Sequence, residues 1–236
     1  MNKINKLQES KKKQFVNLLL NWNEANRRAF PWRKERTPYR VLSAEILLQR
    51  TPAARVAHFY PALIAKFPSP RTLISTKQEI ITEFFRPMGL VKRATWLTKL
   101  MTEVCVRYEC RIPDNEEELL QLPGVGKYTA RAVLVFAYKK DLAIVDVNVA
   151  RVLHRVFGGL GEEKRPSENK KLWSFADELI PKTFGISYNE GLLDFAALVC
   201  KKAPLCSICP MTRLCKYYRL VVSVKVGTPL RNLGSS

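Results

Sequence analysis

Leu122-Pro123-Gly124-Val125-Gly126-Lys127-Tyr128-Thr129 joins two segments patterned as helices, an acidic one from Glu116 to Leu122 and an apolar one from Thr129 to Tyr138. Two glycines so close together permit a tight turn with a positive φ and the near approach of another backbone. A helix start follows at once. Backbone N–H groups and the positive end of the helix dipole therefore face whatever docks there, and Lys127 adds a charge beside them. The same glycines would also serve an ordinary helix–helix corner, so the octapeptide alone leaves two readings: a corner, or a seat for a DNA phosphate.

Outward from this turn the patterning stays helical. Phe15, Leu18, Leu19 and Trp22 recur at helical spacing in a first helix expected to end near Phe30 and Pro31. A second is expected after Pro38, through Val41, Leu42, Ile46 and Leu48. Val149, Val152, Leu153, Val156 and Phe157 form a third apolar stripe; Leu172, Phe175, Ala176 and Leu179 form a fourth, with Ser167 as its expected N-cap. Gly191 to Cys200 reads as one more helix. Alternation typical of a strand is confined to a short run, Val221 to Val226. An all-α fold is expected.

The charge balance narrows the partner. Forty Lys and Arg against 21 Asp and Glu give a net charge of +19 over 236 residues, which favours a polyanion, nucleic acid before membrane surface. The basic residues are dispersed rather than gathered on one amphipathic helix, and no stretch approaches the ~20 apolar residues needed to span a bilayer. The lysine-rich start lacks the apolar core of a signal peptide, so an intracellular protein is expected, cytoplasmic and close to DNA. In that setting the six cysteines read as thiols or metal ligands rather than a disulfide framework.

Three further features carry chemistry. Glu45 lies among Ile46, Leu47 and Leu48 on a helix expected to be buried. A carboxylate there is costly unless paired or protonated, and desolvation would prepare it for general acid work; the alternative is a pairing with Arg50 or Arg55. Asp146 lies downstream of the hairpin, at the start of the next helix, and, taken alone, is an ordinary N-cap. Cys200, Cys206, Cys209 and Cys215 fall within sixteen residues, enough for a metal centre. A four-cysteine zinc site and a [4Fe–4S] cluster are the two candidates, and the single close C-x2-C pair is unlike the two pairs zinc usually takes.

Taken together, these motifs resemble the helix-hairpin-helix DNA glycosylases, the superfamily of endonuclease III and the adenine glycosylases. The resemblance runs from about Phe30 to Cys215. It implies two helical lobes, one over 31–140 with the hairpin and one joining 1–30 to 141–216 with a C-terminal [4Fe–4S] loop, leaving a tail, 217–236, that it does not place. It implies Asp146 as the catalytic carboxylate, Glu45 as a second one, and Gln49 as the side chain that fills the gap left by a flipped nucleotide. Gly124, Gly126, Lys127, Thr129 and Arg50 complete the expected DNA-binding set. The family's first cysteine gap is commonly six residues, whereas five separate Cys200 from Cys206.

Within the superfamily, endonuclease III carries a Schiff-base lysine where Tyr128 stands, and adenine glycosylases usually carry a small residue there. Gly-Val-Gly-Lys-Tyr-Thr (124–129), Ile-Leu-Leu-x-Arg-Thr (46–51) and Leu-x-Asp-Phe (192–195) are similar instead to the thymine-DNA mismatch glycosylases. That resemblance implies a monomeric, monofunctional enzyme of base excision repair. Its substrate would be double-stranded DNA with thymine or uracil opposite guanine, its product an abasic site, and Tyr128 would lie against the flipped base. Two alternatives stand beside it: an adenine glycosylase acting on A·G or A·8-oxoguanine, and a non-catalytic DNA-binding protein. A pure binder would have no use for both Glu45 and Asp146. His58 and His154 are read as structural, with a phosphate contact open to His154.

Overall fold

The computed structural model describes residues 3–160 and 166–222. Among them every regular element is helical, and the chain divides into two compact units, one of residues 29–140 and one joining 1–28 to 141–236.

The second of these begins with α1 (Lys3–Asn26), which ends four residues short of the expected Phe30. Its Phe15 and Leu19 are fully buried. Seven helices build the 29–140 unit: α2 (Pro38–Leu48), α3 (Ala53–Lys66), α4 (Pro70–Ser75), α5 (Gln78–Phe85), α6 (Val91–Tyr108), α7 (Glu116–Leu120) and α8 (Lys127–Phe136). Their starts follow from local chemistry. Thr37 caps α2 by accepting from the Arg40 N–H, and Pro38 supplies a first residue whose φ is already helical. Ser69 and Asn115 cap α4 and α7 in the same way.

Helix α2 is deeply buried in this unit, closed in on every face from Val41 to Leu47. It packs against α3, α6 and α8, while α4 and α5 lie on α6. Each Leu or Ile so enclosed contributes roughly 1.5–3 kcal/mol. A polar side chain on α2 is therefore held to one position by its neighbours.

In the other unit, α9 (Val147–Phe157), α10 (Lys170–Asp177) and α11 (Gly185–Leu198) complete the fold, with α1 and α9 both packed on α11. Phe15, Leu19, Val152, Leu153, Leu172, Trp173 and Phe195 form its core. Two expectations need correction here. Asn169, not Ser167, caps α10, its side chain accepting from the Leu172 N–H, while Ser167 lies in a preceding 3-10 turn. Residues 218–222 make a π-helical turn, so Val221 and Val222 begin no strand; 223–226 and the rest of the tail lie outside the described residues.

A third correction concerns the cysteines. Cys105 and Cys110 form a disulfide. Glu109 and Cys110 take left-handed φ values of 52° and 65°, turning the chain back after α6. The Cys110 N–H then donates to the Val104 carbonyl, which brings Cys110 beside Cys105 in the last helical turn. Composition cannot show such a local reversal.

Candidate active site

The hairpin is built from Leu122 to Gly126. Leu122 and Val125 point inward at 2% and 7% exposure, and the Val125 N–H donates to the Leu122 carbonyl to close the turn. Gly124 has a φ of 77°, which side-chain-bearing residues rarely adopt. Gly126 is the N-cap of α8, in extended backbone, with open space where a Cβ would stand. The first backbone bond of α8 runs from the Ala130 N–H to the Gly126 carbonyl, so the amides of Lys127, Tyr128 and Thr129 lie outside the helix ladder at its positive end. Lys127 and Tyr128 are half-buried. The Thr129 side chain is buried at 4% exposure, while its backbone amide belongs to the open helix end.

Glu45 lies within α2 at 6% exposure, between Ala44 and Ile46, both buried. Gln49 caps the same helix and Arg50 follows in a left-handed conformation with φ 58°, exposed. The Gln49 amide reaches the hairpin, its Nε2 donating to the Gly124 carbonyl at 3.1 Å. Arg93 of α6 donates through Nη1 to Gln49 Oε1 at 3.0 Å and through Nη2 to the Gln49 carbonyl at 2.6 Å. The 29–140 unit thus brings Gln49 and the hairpin together through direct bonds.

Asp146 belongs to the other unit. It is the N-cap of α9: Oδ1 accepts from the Asn148 N–H at 2.9 Å and the Val149 N–H at 2.7 Å, and Oδ2 accepts from Asn148 Nδ2 at 2.8 Å. Three donors fix the carboxylate, which stays half-exposed. Asn148 is itself held by Arg151, whose Nη1 donates to Asn148 Oδ1 at 2.9 Å. The same guanidinium donates to the Cys200 carbonyl at 3.0 Å and the Ala196 carbonyl at 3.2 Å. The approach to Asp146 is also anchored by side chains. Asn189 of α11, 1% exposed, accepts from the Ile144 N–H and donates to the Leu142 carbonyl, and Asp177 accepts from the Ala143 N–H.

Sequence reasoning gave no role to Arg93, Asn148, Arg151 or Asn189. The last three are legible only in hindsight, as polar residues at i+2 and i+5 from Asp146 and one of several polar residues on α11. Arg93 carries no signal in the sequence at all. His154 is buried at 9% exposure on α9.

Cys200, Cys206, Cys209 and Cys215 line a single cavity together with Arg155, Phe195, Met211 and Tyr218. No group of three or more His, Cys, Asp or Glu among the described residues is gathered so as to hold one metal ion. Burial, reinforced by the neighbouring cysteine sulfurs, pushes the Cys209 thiol up to about 11 and also raises those of Cys206 and Cys215. Thiols raised in this way become thiolates together only around strong positive charge. Backbone N–H groups of Met211 and Tyr218 already donate to Cys209 and Cys215 Sγ at 3.4 Å. Four thiols lining one cavity are a donor set of the kind that metal centres use.

Residues 43–177 match the model of the HhH-GPD superfamily base excision DNA repair proteins. The chain belongs to this family. Among HhH-GPD relatives, it is 40% identical over 210 residues to the thymine/uracil-DNA glycosylase of Methanothermobacter thermautotrophicus, covering 88% of this chain and 95% of that one. It is 37% identical to the thymine/uracil-DNA glycosylase of Pyrobaculum aerophilum, over 87% of this chain and 92% of that one. The solved structure of a thermostable thymine-DNA glycosylase superposes with a TM-score of 0.83 at 38% identity, covering 90% of this chain and 98% of that one. The similarity to these glycosylases extends beyond the residues that the family model matches, over 87–90% of this chain.

Proposed function

We propose that this protein is a monofunctional DNA glycosylase that flips thymine or uracil out of a mispair with guanine and hydrolyses its N-glycosidic bond. The observation that carries this reading is the near full-length similarity, 37–40% identical, to proteins named thymine/uracil-DNA glycosylases. Tyr128 supports the monofunctional part: it stands on the first turn of α8, and a phenol cannot form the Schiff base a lyase needs. Lys127 is adjacent, but one helical residue turns its side chain about 100° away.

The hairpin amides and the end of α8 receive a phosphate, fixing the register of the duplex without reading sequence. A mispaired base costs less to extrude, and Gln49 fills the gap it leaves. As the bond from C1′ to N1 breaks, positive charge develops on the sugar, and the carboxylate of Asp146 stabilises it. Water adds its oxygen to C1′ and loses a proton, for which Asp146 is the acceptor. Glu45 donates a proton or hydrogen bond to the departing pyrimidine at O2, so the electron pair leaves on a stabilised base. Tyr128 stacks on or hydrogen-bonds the flipped base. The products are the free base and an abasic site in an intact strand.

Cys200, Cys206, Cys209 and Cys215 would hold a [4Fe–4S] cluster. Bound there, a cluster would serve a structural role, and Lys201, Lys202 and Arg213 on the 200–215 loop would lie near the DNA backbone.

Labelled duplexes with a single T·G, U·G, A·G or A·8-oxoguanine pair test the reading, each assayed with and without hot alkali. Breaks at T·G or U·G that appear only after alkali are expected. Breaks at the adenine pairs alone would replace the substrate assignment, and breaks without alkali would overturn the monofunctional one.

A further inference from the structure

The bonds around Gln49 point to a residue that no motif reveals. A glutamine at a helix end has three rotatable bonds, and holding it in one rotamer gives up side-chain entropy. Here that freedom is removed from both ends of the amide. Arg93 offers only donors, so it fixes which terminal atom of Gln49 is the oxygen; the Gly124 carbonyl offers only an acceptor, so it fixes the nitrogen. The second arm of the guanidinium grips the Gln49 backbone carbonyl, at the point where α2 ends and Arg50 turns left-handed.

Arg93 is held in turn. Trp96, nearly one turn further along α6 and 53% exposed, lies against the guanidinium with its ring centroid 4.7 Å from the central carbon. Stacking on an aromatic face sets the plane of the fork, which decides whether two bonds can form at once. Trp96, Arg93, Gln49 and the hairpin carbonyl therefore form one continuous line across the 29–140 unit.

We propose that Arg93, backed by Trp96, is the positioning residue that pre-sets Gln49 for the gap left by the flipped nucleotide. The proposal rests on the reading of Gln49 as the gap-filling side chain. Arg93 contributes by removing the ordering cost before DNA arrives, and it links the hairpin that seats the phosphate to the residue that enters the stack.

The test is a binding double-mutant cycle. The full chain and its variants Q49A, R93A, R93K and Q49A/R93A are titrated against two duplexes, one with a tetrahydrofuran abasic analogue opposite guanine and one fully matched. The readout is the ratio of the two affinities, which a general loss of charge or of folded protein leaves unmoved. Q49A and R93A are each expected to lower the ratio about tenfold, and the double variant no more than either alone, because both remove one coupled unit. R93K keeps the charge but not the two-armed grip, so it should restore matched-duplex affinity without restoring the ratio. Multiplication of the two single effects to about a hundredfold would overturn the proposal, as would full rescue of the ratio by R93K, which would show that the two-armed grip on Gln49 is not needed. An unchanged ratio in Q49A would remove the gap-filling reading itself and this inference with it; a lowered ratio in Q49A with no change in R93A would overturn the inference alone.

Discussion

Asp146 occupies two positions at once in a physical sense, as the N-cap of α9 and as a half-exposed carboxylate held by three N–H donors. The substitution Asp146→Asn separates these roles, because an asparagine oxygen still caps a helix while the negative charge is gone. Single-turnover excision from a T·G duplex should fall on the order of 10³-fold, with duplex binding within a few-fold of the parent and thermal stability changed by less than about 1 kcal/mol. Activity retained at the parental level would remove Asp146 from the chemistry. Glu45→Gln makes the matching probe on α2. The amide keeps the volume of a side chain only 6% exposed but cannot deliver a proton, so excision should drop on the order of 10²-fold or more. Stopped or quenched time courses at saturating enzyme would read that loss directly, and an undiminished rate would leave Glu45 a structural group.

Elements explain why neighbouring residues of one type play different parts. Gly124 has a φ of 77° and nothing within 4 Å of its notional Cβ, so the cost of Gly124→Ala is backbone strain, about 1–3 kcal/mol. Gly126 has an ordinary φ and the same open space, so Gly126→Ala should leave the melting temperature nearly unchanged. Its methyl group would instead stand where a phosphate approaches the start of α8, and duplex affinity should fall while stability holds. Melting curves and titrations on the two variants should therefore give opposite patterns; equal losses of stability would contradict this division. The end of α6 supplies a second case. The Cys105–Cys110 bridge closes a loop of only six residues, for which chain entropy gives about 2 kcal/mol. Reductant should lower the melting temperature of the parent chain but not that of a Cys105→Ser/Cys110→Ser variant.

At the scale of the molecule, one unit is assembled from both ends of the chain, and the closure depends on a few buried polar contacts. Asp194, fully buried on α11, accepts from both the Arg28 backbone N–H at 2.9 Å and Arg28 Nε at 2.7 Å, just where the chain leaves this unit. Glu190, 1% exposed, pairs with Arg27 at 2.8 Å one turn earlier. Replacing Asp194 with alanine would leave the guanidinium and amide of Arg28 without this carboxylate, at a cost of about 3–5 kcal/mol. Chemical denaturation should show that loss in full, and a change under about 1 kcal/mol would mean that apolar packing of α1 on α11 is sufficient by itself. The motif read as a subfamily marker, Leu-x-Asp-Phe, thus includes a residue whose observed work is to hold the N-terminal segment in place.

Periodicity and capping chemistry are local, and they determined the all-α class, the position of α2 after Pro38, the helix after Asp146 and the turn between the acidic and apolar segments around Gly124. Glu45 and the four clustered cysteines were likewise visible in sequence, because each departs from its surroundings, whereas Asp146 alone read as a cap and its role and that of Gln49 came with the family resemblance. The rest depended on distance in space. Asn169 rather than Ser167 caps α10 because cap choice turns on one or two residues of backbone geometry, and Cys105 meets Cys110 because two left-handed residues fold the chain back. Arg93 lies 44 residues from Gln49 and Arg151 lies 49 from Cys200, with no periodicity to pair them. Side-chain hydrogen bonds of that span are fixed only when packed helices set their backbones within a few ångströms, and that is a property of tertiary structure alone.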